Sequence, residues 1–235
     1  MTSGFLLIDK EFGPTSHDVI DALRRITSVE KIGHAGTLDP FASGLLFVAV
    51  GREATREISK FVGLDKEYET TIVLGVRSTT LDPEGELESV PVPNLSIERL
   101  GEALQSLTGE LDQIPPMHSA IKVGGRKLYD LARKGKEIER KPRRITISAF
   151  ELIGEPDLSL SVHLPLRAKG TIKIHVRIAC SSGTYVRALA RDLGEALGTA
   201  AYLSQLRRTK IGKYDVKNTH RLADLTPENW TDFLF

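Results

Sequence analysis

The chain has 235 residues, of which 40% are hydrophobic and 27% charged, with a formal net charge of +1 and a single cysteine. This length is enough for a substantial core in one large or two small domains, and a single cysteine excludes a disulfide framework and a cysteine-based metal site. No apolar run reaches the roughly 20 residues of a membrane-spanning helix, and the N-terminus lacks a signal-peptide pattern, so we predict a cytoplasmic protein.

Patterns in the first half of the chain alternate between strand and helix. Residues 5–9 predict a strand, and Thr15 with Asp18 forms a capping box at the start of an amphipathic helix. The apolar run at residues 45–50 predicts a buried strand. Residues 66–74 alternate between apolar and polar side chains, as a half-buried strand does.

The second half contains more strand patterns than helix patterns. Ser96 caps one predicted helix, and residues 184–197 predict another. Strand patterns occupy residues 145–153, 160–166 and 171–180. Because these strands follow one another with few strand–helix–strand units, we predict an α+β fold with a mixed, largely antiparallel central sheet flanked by helices.

Asp39 lies in the segment 33–46 (GHAGTLDPFASGLL), which holds more small and flexible residues than a simple turn requires. Such residues let a second molecule approach the backbone closely, which is typical of a binding or catalytic loop. An Asp-Pro pair more often only begins a turn. The tetrapeptide TLDP recurs at residues 80–83, where the composition predicts an exposed acidic loop, so this second copy is an internal comparison.

Basic residues concentrate between Lys122 and Arg144. This segment contains ten basic and three acidic residues, a net charge of +7, so the remainder of the chain carries −6. Such asymmetry is typical of a localised footprint on a phosphate backbone. The alternative is a solvated helix and loop whose charges only serve solubility.

Seven short motifs occur in one order along the chain: GFLLIDKEFGPTSHD at 4–18, GHAGTLDPFASGLL at 33–46, KEY at 66–68, IPPMHSAIK at 114–122, GRKLY at 125–129, CSSGTYVR at 180–187 and LRR at 206–208. In these motifs the chain resembles the tRNA pseudouridine-55 synthases of the TruB family, whose opening motif is GxLxLDKPxGxTSHD. The resemblance implies a pseudouridine synthase fold and the isomerisation of uridine to pseudouridine, most simply at uridine 55 in the T-loop of tRNA.

Two features depart from the family pattern. Lys10 is followed by Glu11 where the family has proline, and the sequence ends at Phe235, too soon to hold the C-terminal RNA-binding domain of the PUA type that many members carry. The resemblance therefore predicts a catalytic domain over residues 1–215, a basic RNA-gripping insertion around 112–144, and a short tail over 216–235 without a PUA domain.

The resemblance identifies Asp39 as the catalytic carboxylate, acting on a flipped-out base either as a nucleophile or as a base. Arg187 is the expected partner that offsets the cost of burying this charge. Tyr68 offers a ring for stacking on the extruded base, although a half-buried strand tyrosine would give the same pattern.

The remaining predicted residues contact RNA. His34 is expected to fill the space left by the flipped nucleotide, Lys10 to contact RNA or brace the active-site loop, Tyr185 to position the Arg187 segment, and Leu206 to wall the pocket or simply fill the core. The basic contacts are predicted at Lys122, Arg126, Lys127, Arg133 and Lys134.

The predicted reaction conserves electrons, so no cofactor is expected, and no metal-ligand spacing occurs in the sequence. The expected partner is the T-arm of tRNA, with no membrane, no required protein partner and a monomeric state. Two alternatives stay open. One is a related synthase with another RNA target, including the guide-RNA-dependent branch, and the other is a non-catalytic RNA-binding module.

Overall fold

The computed structural model describes residues 2–119, 122–123, 126–127, 138–161 and 170–235. The chain forms two compact units, unit 1 from residues 1–69 and 206–235 and unit 2 from residues 70–205. The helices are α1 Ser16–Thr27, α2 Arg52–Glu57, α3 Ser59–Val62, α4 Ile97–Ser106 and α5 Val186–Ala196. The strands are β1 Gly4–Lys10, β2 Ile32–His34, β3 Ala42–Val50, β4 Lys66–Leu74, β5 Val76–Ser78, β6 Leu87–Ser89, β7 Gly109–Gln113, β8 Lys122–Val123, β9 Arg126–Lys127, β10 Arg143–Leu152, β11 Asp157–Ser161, β12 Thr171–Cys180, β13 Ala201–Ile211 and β14 Tyr214–Asp215.

In unit 1 the strand order is β1, β3, β13 and β4, and the last two strands continue into unit 2. β1 pairs antiparallel with β3 along its whole length, so Lys10 lies opposite Gly44. β13 pairs with the same strand in parallel, with Leu206 opposite Ala42. These registers bring Lys10 and Leu206 beside the first residues of β3, directly after the segment that contains Asp39.

Both faces of the β1–β3 pair are covered, because successive side chains of a strand point to opposite sides. On one side Leu6 and Ile8 pack with Leu23 of α1, which the capping box of Thr15 and Asp18 starts as predicted. On the other side Phe47 stacks on Phe61, with 4.2 Å between ring centroids. Each such buried apolar side chain contributes roughly 1.5–3 kcal/mol, so β3 is held from both faces.

The C-terminal segment, residues 216–235, packs on unit 1. Leu225 and Trp230 belong to the same core cluster as Leu6 and Ile8. Phe5 and Phe235 exchange two backbone hydrogen bonds of 3.2 Å. The segment predicted as a tail therefore contributes to the core of unit 1.

In unit 2 the strands β4, β12, β10 and β7 follow one another in the sheet, and the described pairings of β10 with β12 and with β7 are antiparallel. α4 begins at the predicted Ser96 cap. The strand expected at 160–166 is β11, which ends at Ser161, and residues 162–169 lie outside the described part of the chain. The predicted α+β class with a mixed, largely antiparallel sheet is confirmed. No helix in the described ranges is long and apolar enough to cross a membrane.

Candidate active site

Asp39 lies in unit 1, in the segment that joins β2 to β3. Its carbonyl oxygen accepts a hydrogen bond of 3.0 Å from the amide of Ala42, so Asp39-Pro40 does begin a turn, and β3 starts at the end of that turn. The Asp39 residue is half-buried. Gly36 has φ +92°, a left-handed conformation that favours glycine and redirects the chain after β2.

Lys10 is buried, with 1% of its surface exposed, and it is hydrogen-bonded to this segment. Its Nζ donates hydrogen bonds to the carbonyl oxygens of Glu11 at 2.9 Å, Pro14 at 2.7 Å and Pro40 at 3.4 Å. A protonated amine has three hydrogens, and three carbonyls receive them. These bonds hold the loop to Lys10, and the predicted contact of Lys10 with RNA stays a prediction.

Burial lowers the pKa of Lys10 from 10.5 to about 8. Attraction to Asp39 and, more weakly, to Asp18 opposes this change, whereas the neighbouring Arg208 adds to it. The same attraction acts on the Asp39 carboxylate, so Lys10 favours its ionised form.

Ser16 attaches the start of α1 to the residues before Asp39. Its Oγ donates to the carbonyl of Leu38 at 2.9 Å and accepts from the amide of Leu38 at 2.8 Å. In the loop between β1 and α1, the amide of Gly13 donates to the carbonyl of Pro40 at 2.9 Å. The residues on both sides of Asp39 are thus hydrogen-bonded to the segment from Lys10 to Ser16.

Arg208 is a buried arginine that the sequence did not single out beyond its place in the LRR motif. It is 1% exposed, and its Nε donates to the carbonyl of Leu45 at 2.8 Å while its Nη2 donates to that of Gly36 at 3.0 Å. A Cβ on Gly44 would lie 2.3 Å from the backbone oxygen of Arg208, so glycine is required for this close pairing of β3 with β13. Arg208 therefore joins the two ends of the Asp39 segment.

His34 is the last residue of β2 and is half-buried. Its Nδ1 is buried without a hydrogen-bond partner among the residues that the structure describes. Burial, with the positive charges of Arg208 and His17, lowers its pKa, and the Gly36 backbone partly opposes this. The lowered pKa favours the neutral imidazole near pH 7.

Tyr68 and Leu206 are buried side chains of unit 1, on β4 and β13. Leu206 pairs with Ala42, three residues after Asp39. Burial suits both a core role and a pocket wall, so the predicted functions of the two side chains stay predictions.

Arg187 lies in unit 2, in the first turn of α5, and is 7% exposed. Its Nη1 donates to Asp82 Oδ2 at 2.9 Å and to the carbonyl of Thr80 at 3.0 Å, and its Nη2 donates to the carbonyl of His118 at 2.7 Å. A positive side chain is disfavoured beside the positive end of a helix, and the Asp82 carboxylate offsets this cost. The predicted pairing of Arg187 with Asp39 stays a prediction.

The second TLDP segment is not the exposed loop that its composition predicts. Asp82 is 3% exposed and, besides Arg187, accepts hydrogen bonds from the amide of Glu84 at 3.1 Å and from the hydroxyl of Thr80. Leu81 adopts φ +66°, which is uncommon for a residue with a side chain. The prediction was wrong for Asp82, whereas Glu84, Glu86 and Glu88 of the same loop are exposed. Asp82 is buried against Arg187, which is 105 residues away in sequence.

Tyr185 is the N-cap residue of α5, and Gln113 fixes its backbone. The buried Gln113 side chain accepts from the Tyr185 amide at 2.8 Å and donates to its carbonyl at 3.1 Å. Sequence reasoning placed Tyr185 as the residue that positions this segment and missed Gln113. A buried glutamine that clamps a distant backbone leaves no periodic signal.

Part of the predicted basic contact region falls outside the described residues. Arg133 and Lys134 lie there entirely, whereas Lys122, Arg126 and Lys127 are described only as backbone, in the hairpin of β8 and β9. Within the described ranges, no group of three or more His, Cys, Asp or Glu residues is placed to hold a metal ion.

Several solved structures are similar to this chain. It matches a Cbf5 chain in a Cbf5–Nop10–Gar1 complex with a TM-score of 0.66 and 27% sequence identity, over 94% of this chain and 53% of that one. In an archaeal box H/ACA sRNP Nop10–Cbf5 complex the TM-score is 0.65 at 25% identity, over 97% and 55%. The chain thus spans about half the length of these structural relatives, and the similarity confirms the pseudouridine synthase fold.

Curated sequences agree with the fold. The tRNA pseudouridine synthase B of Leifsonia xyli subsp. xyli is 44% identical over 229 residues, covering 96% of this chain and 72% of that protein. The enzyme of the same name from Mycobacterium tuberculosis H37Rv is 44% identical over 223 residues, covering 94% and 71%. Residues 24–186 match the model of the TruB family pseudouridylate synthase N-terminal domain, and residues 187–232 match the tRNA pseudouridylate synthase B C-terminal domain. The chain belongs to the TruB family of pseudouridylate synthases.

Proposed function

We propose that this TruB-family isomerase converts uridine 55 in the T-loop of tRNA to pseudouridine, with Asp39 as the reacting carboxylate. The observation that carries the proposal is the support of the Asp39 segment. Two buried cations, Lys10 and Arg208, bind backbone carbonyls on both sides of a half-buried aspartate. Such fixed positioning is what a catalytic group needs, because misplacement by about 1 Å can cost a hundredfold in rate.

The reaction breaks the bond between N1 of uracil and C1′ of ribose, turns the base and joins C5 to C1′. The proton that leaves C5 balances the one that N1 gains, and no electrons are gained or lost. Asp39 serves either as a nucleophile at the sugar or as a base that removes a sugar proton. Both roles need an ionised carboxylate, which the charge of Lys10 favours.

The other predicted residues receive roles around this reaction. Tyr68 stacks on the extruded uracil, and Arg187 provides positive charge to the reacting groups. His34 replaces the flipped nucleotide in the stack, and Leu206 forms an apolar wall. Tyr185 positions the segment that carries Arg187.

Phosphate contacts are assigned to a separate set of side chains, Lys122, Arg126, Lys127, Arg133 and Lys134. We assign the catalytic domain to residues 1–215 and the RNA-gripping insertion to residues 112–144, with residues 216–235 as a short C-terminal segment that packs on unit 1. The T-arm of tRNA is the partner, and the enzyme acts as a cytoplasmic monomer.

Pseudouridine mapping in bulk tRNA after incubation with the purified protein tests the proposal. Pseudouridine at position 55 that depends on Asp39 is the expected result, and an Asp39→Asn preparation controls for contaminating synthases. Product that forms only when a guide RNA is added would support the guide-dependent alternative. Tight tRNA binding without any product would support a non-catalytic RNA-binding module.

A further inference from the structure

The loop between β1 and α1 carries the exposed ring of Phe12. Residues 11–15 (EFGPT) are all exposed, whereas Lys10 and Ser16 at the two ends of the loop are buried. Phe12 is 71% exposed, more than any other exposed large apolar side chain in the described part of the chain. A single exposed apolar residue is common on protein surfaces, so the inference rests on where this ring is held.

The buried Lys10 side chain fixes the backbone on both sides of Phe12. Lys10 Nζ binds the carbonyl oxygens of Glu11 and Pro14, the residues that bracket Phe12 and Gly13. The same Nζ also binds the carbonyl of Pro40. The loop that bears the ring therefore shares its anchor with the segment that bears Asp39.

Two further attachments join these segments. The Gly13 amide donates to the carbonyl of Pro40, and Ser16 Oγ exchanges two hydrogen bonds with the backbone of Leu38. Both partners, Leu38 and Pro40, are direct neighbours of Asp39 in the sequence. The backbone of the Phe12 loop is thus held in a fixed relation to the proposed catalytic residue, so little backbone conformational entropy is lost when the ring binds a partner.

The charges around Phe12 indicate which part of an RNA the loop accepts. Glu11 is adjacent to the ring in sequence, and Asp18 lies in the first turn of α1; both are exposed. Carboxylates repel phosphate oxygens, so the loop is poorly suited to grip the backbone. A flat aromatic ring instead fits the face of a nucleobase, and unpaired bases of RNA loops stack on such rings.

We propose that Phe12 is a base-stacking residue, which packs on an unpaired nucleobase of the tRNA next to the uridine that reacts. The inference rests on the proposed function, since it takes the T-loop as substrate. The family motif GxLxLDKPxGxTSHD leaves this position open. The contact is therefore a property of this chain's own loop and is separate from the residues that the motif specifies.

Three substitutions separate aromatic stacking from plain apolar contact. For a T-arm stem-loop, Phe12→Ala and Phe12→Leu are expected to raise Kd and KM about five- to hundredfold, the range of a lost aromatic–base stack. The single-turnover rate at saturating RNA is expected to stay within about twofold, because the chemistry is assigned to other groups. Phe12→Trp is expected to retain wild-type affinity.

Tryptophan fluorescence adds a direct readout. The wild-type chain has a single tryptophan, Trp230, which is buried in the core of unit 1. Subtracting the wild-type emission from that of the Phe12→Trp variant isolates the fluorescence of the new tryptophan. This fluorescence is expected to be quenched when the stem-loop binds. For the affinity measurements, Val62→Ala is the matched control for Phe12→Ala, because Val62 is also an exposed apolar residue of unit 1, on α3.

Any one of three results would overturn the stacking contact. These are wild-type Kd and KM for Phe12→Ala, full affinity for Phe12→Leu, and unquenched emission from Phe12→Trp at saturating RNA. None of these results would affect the proposed function if the wild type still forms pseudouridine. If the wild type forms none, the proposed function fails, and the binding and fluorescence measurements still decide the role of Phe12.

Discussion

The tetrapeptide Thr-Leu-Asp-Pro occurs at residues 37–40 and again at residues 80–83, and the two copies differ in how deeply the aspartate is buried. Around Asp39 the surrounding side chains bind the backbone, through the carbonyls of Leu38 and Pro40. Around Asp82 they bind the backbone carbonyls of Thr80 and Asp82, and the carboxylate itself is buried against Arg187. Asp82 is almost fully buried against a cation, whereas Asp39 is half-buried on a backbone that Lys10 and Ser16 hold, and we propose that this difference separates a structural carboxylate from a reacting one.

The strongest test of this contrast is activity. Asp39→Asn keeps the shape of the side chain and removes its charge, so we expect turnover to fall by about 10⁴-fold or more, the scale for loss of a central catalytic group. Affinity for tRNA and the free energy of unfolding are expected to change little. Single-turnover pseudouridine formation measures the rate, and clear residual turnover in a well-purified sample would remove Asp39 from the chemistry.

Stability is expected to show the reverse order. Asp82→Ala removes the carboxylate that lies 2.9 Å from the buried Arg187 guanidinium, and breaking a buried ion pair typically costs about 3–5 kcal/mol in the free energy of unfolding. Asp39→Asn, in the other copy of the tetrapeptide, is the matched comparison. Denaturant melts of both variants would contradict this interpretation if Asp82→Ala were the milder change.

A double-mutant cycle tests whether Asp82 and Arg187 act as a pair. Arg187→Met removes the charge and keeps an apolar chain, so the double variant with Asp82→Ala is expected to be less destabilised than the two single variants summed. Strict additivity would show that the 2.9 Å contact contributes no coupling.

Local patterns predicted local structure well. The capping box of Thr15 and Asp18 and the strand at residues 171–180 occur where the sequence placed them, because both depend on neighbouring residues. The burial of Asp82 depends on Arg187, more than 100 residues away, and no period in the sequence records that contact. The same reasoning explains why Arg208 was overlooked.

The candidate site divides in the same manner. The Asp39 segment was identified from its composition and the family motif. Its support by Lys10 and Arg208 depends on how β3 pairs with β1 and β13, and a pairing between distant strands cannot be read from the sequence. Lys10 was predicted to contact RNA or to brace the loop; its buried hydrogen bonds to the loop carbonyls were not evident from the sequence, and a contact with RNA stays a prediction. A buried lysine looks the same in sequence as an exposed one.

The Asp39 segment can also be compared with the basic segment between Lys122 and Arg144. Glutamine substitution of Arg126, Lys127, Arg133 and Lys134 is expected to weaken tRNA binding and to lower the slope of log affinity against log salt by roughly two to four units. The saturated single-turnover rate is expected to stay near the wild type. An unchanged salt slope would show that these side chains do not reach phosphates.

The smallest expected effect is a pH dependence at the first TLDP copy. Lys10, with a pKa of about 8, donates three hydrogen bonds only when protonated. As pH rises through this value, one bond to the loop is lost together with the charge that attracts Asp39. The single-turnover rate is therefore expected to be level below about pH 7 and to fall as the pH rises through 8, by up to about tenfold per pH unit well above the pKa.

Substitution of the lysine sharpens this test. Lys10→Met removes the titrating group, so the variant is expected to be slower at neutral pH and to lose the decline above pH 8. Lys60→Met, at an exposed lysine of unit 1, is the control and is expected to keep the wild-type profile. A decline that persists unchanged in Lys10→Met would assign the alkaline titration to another group, and Lys10 would then act only as a structural brace.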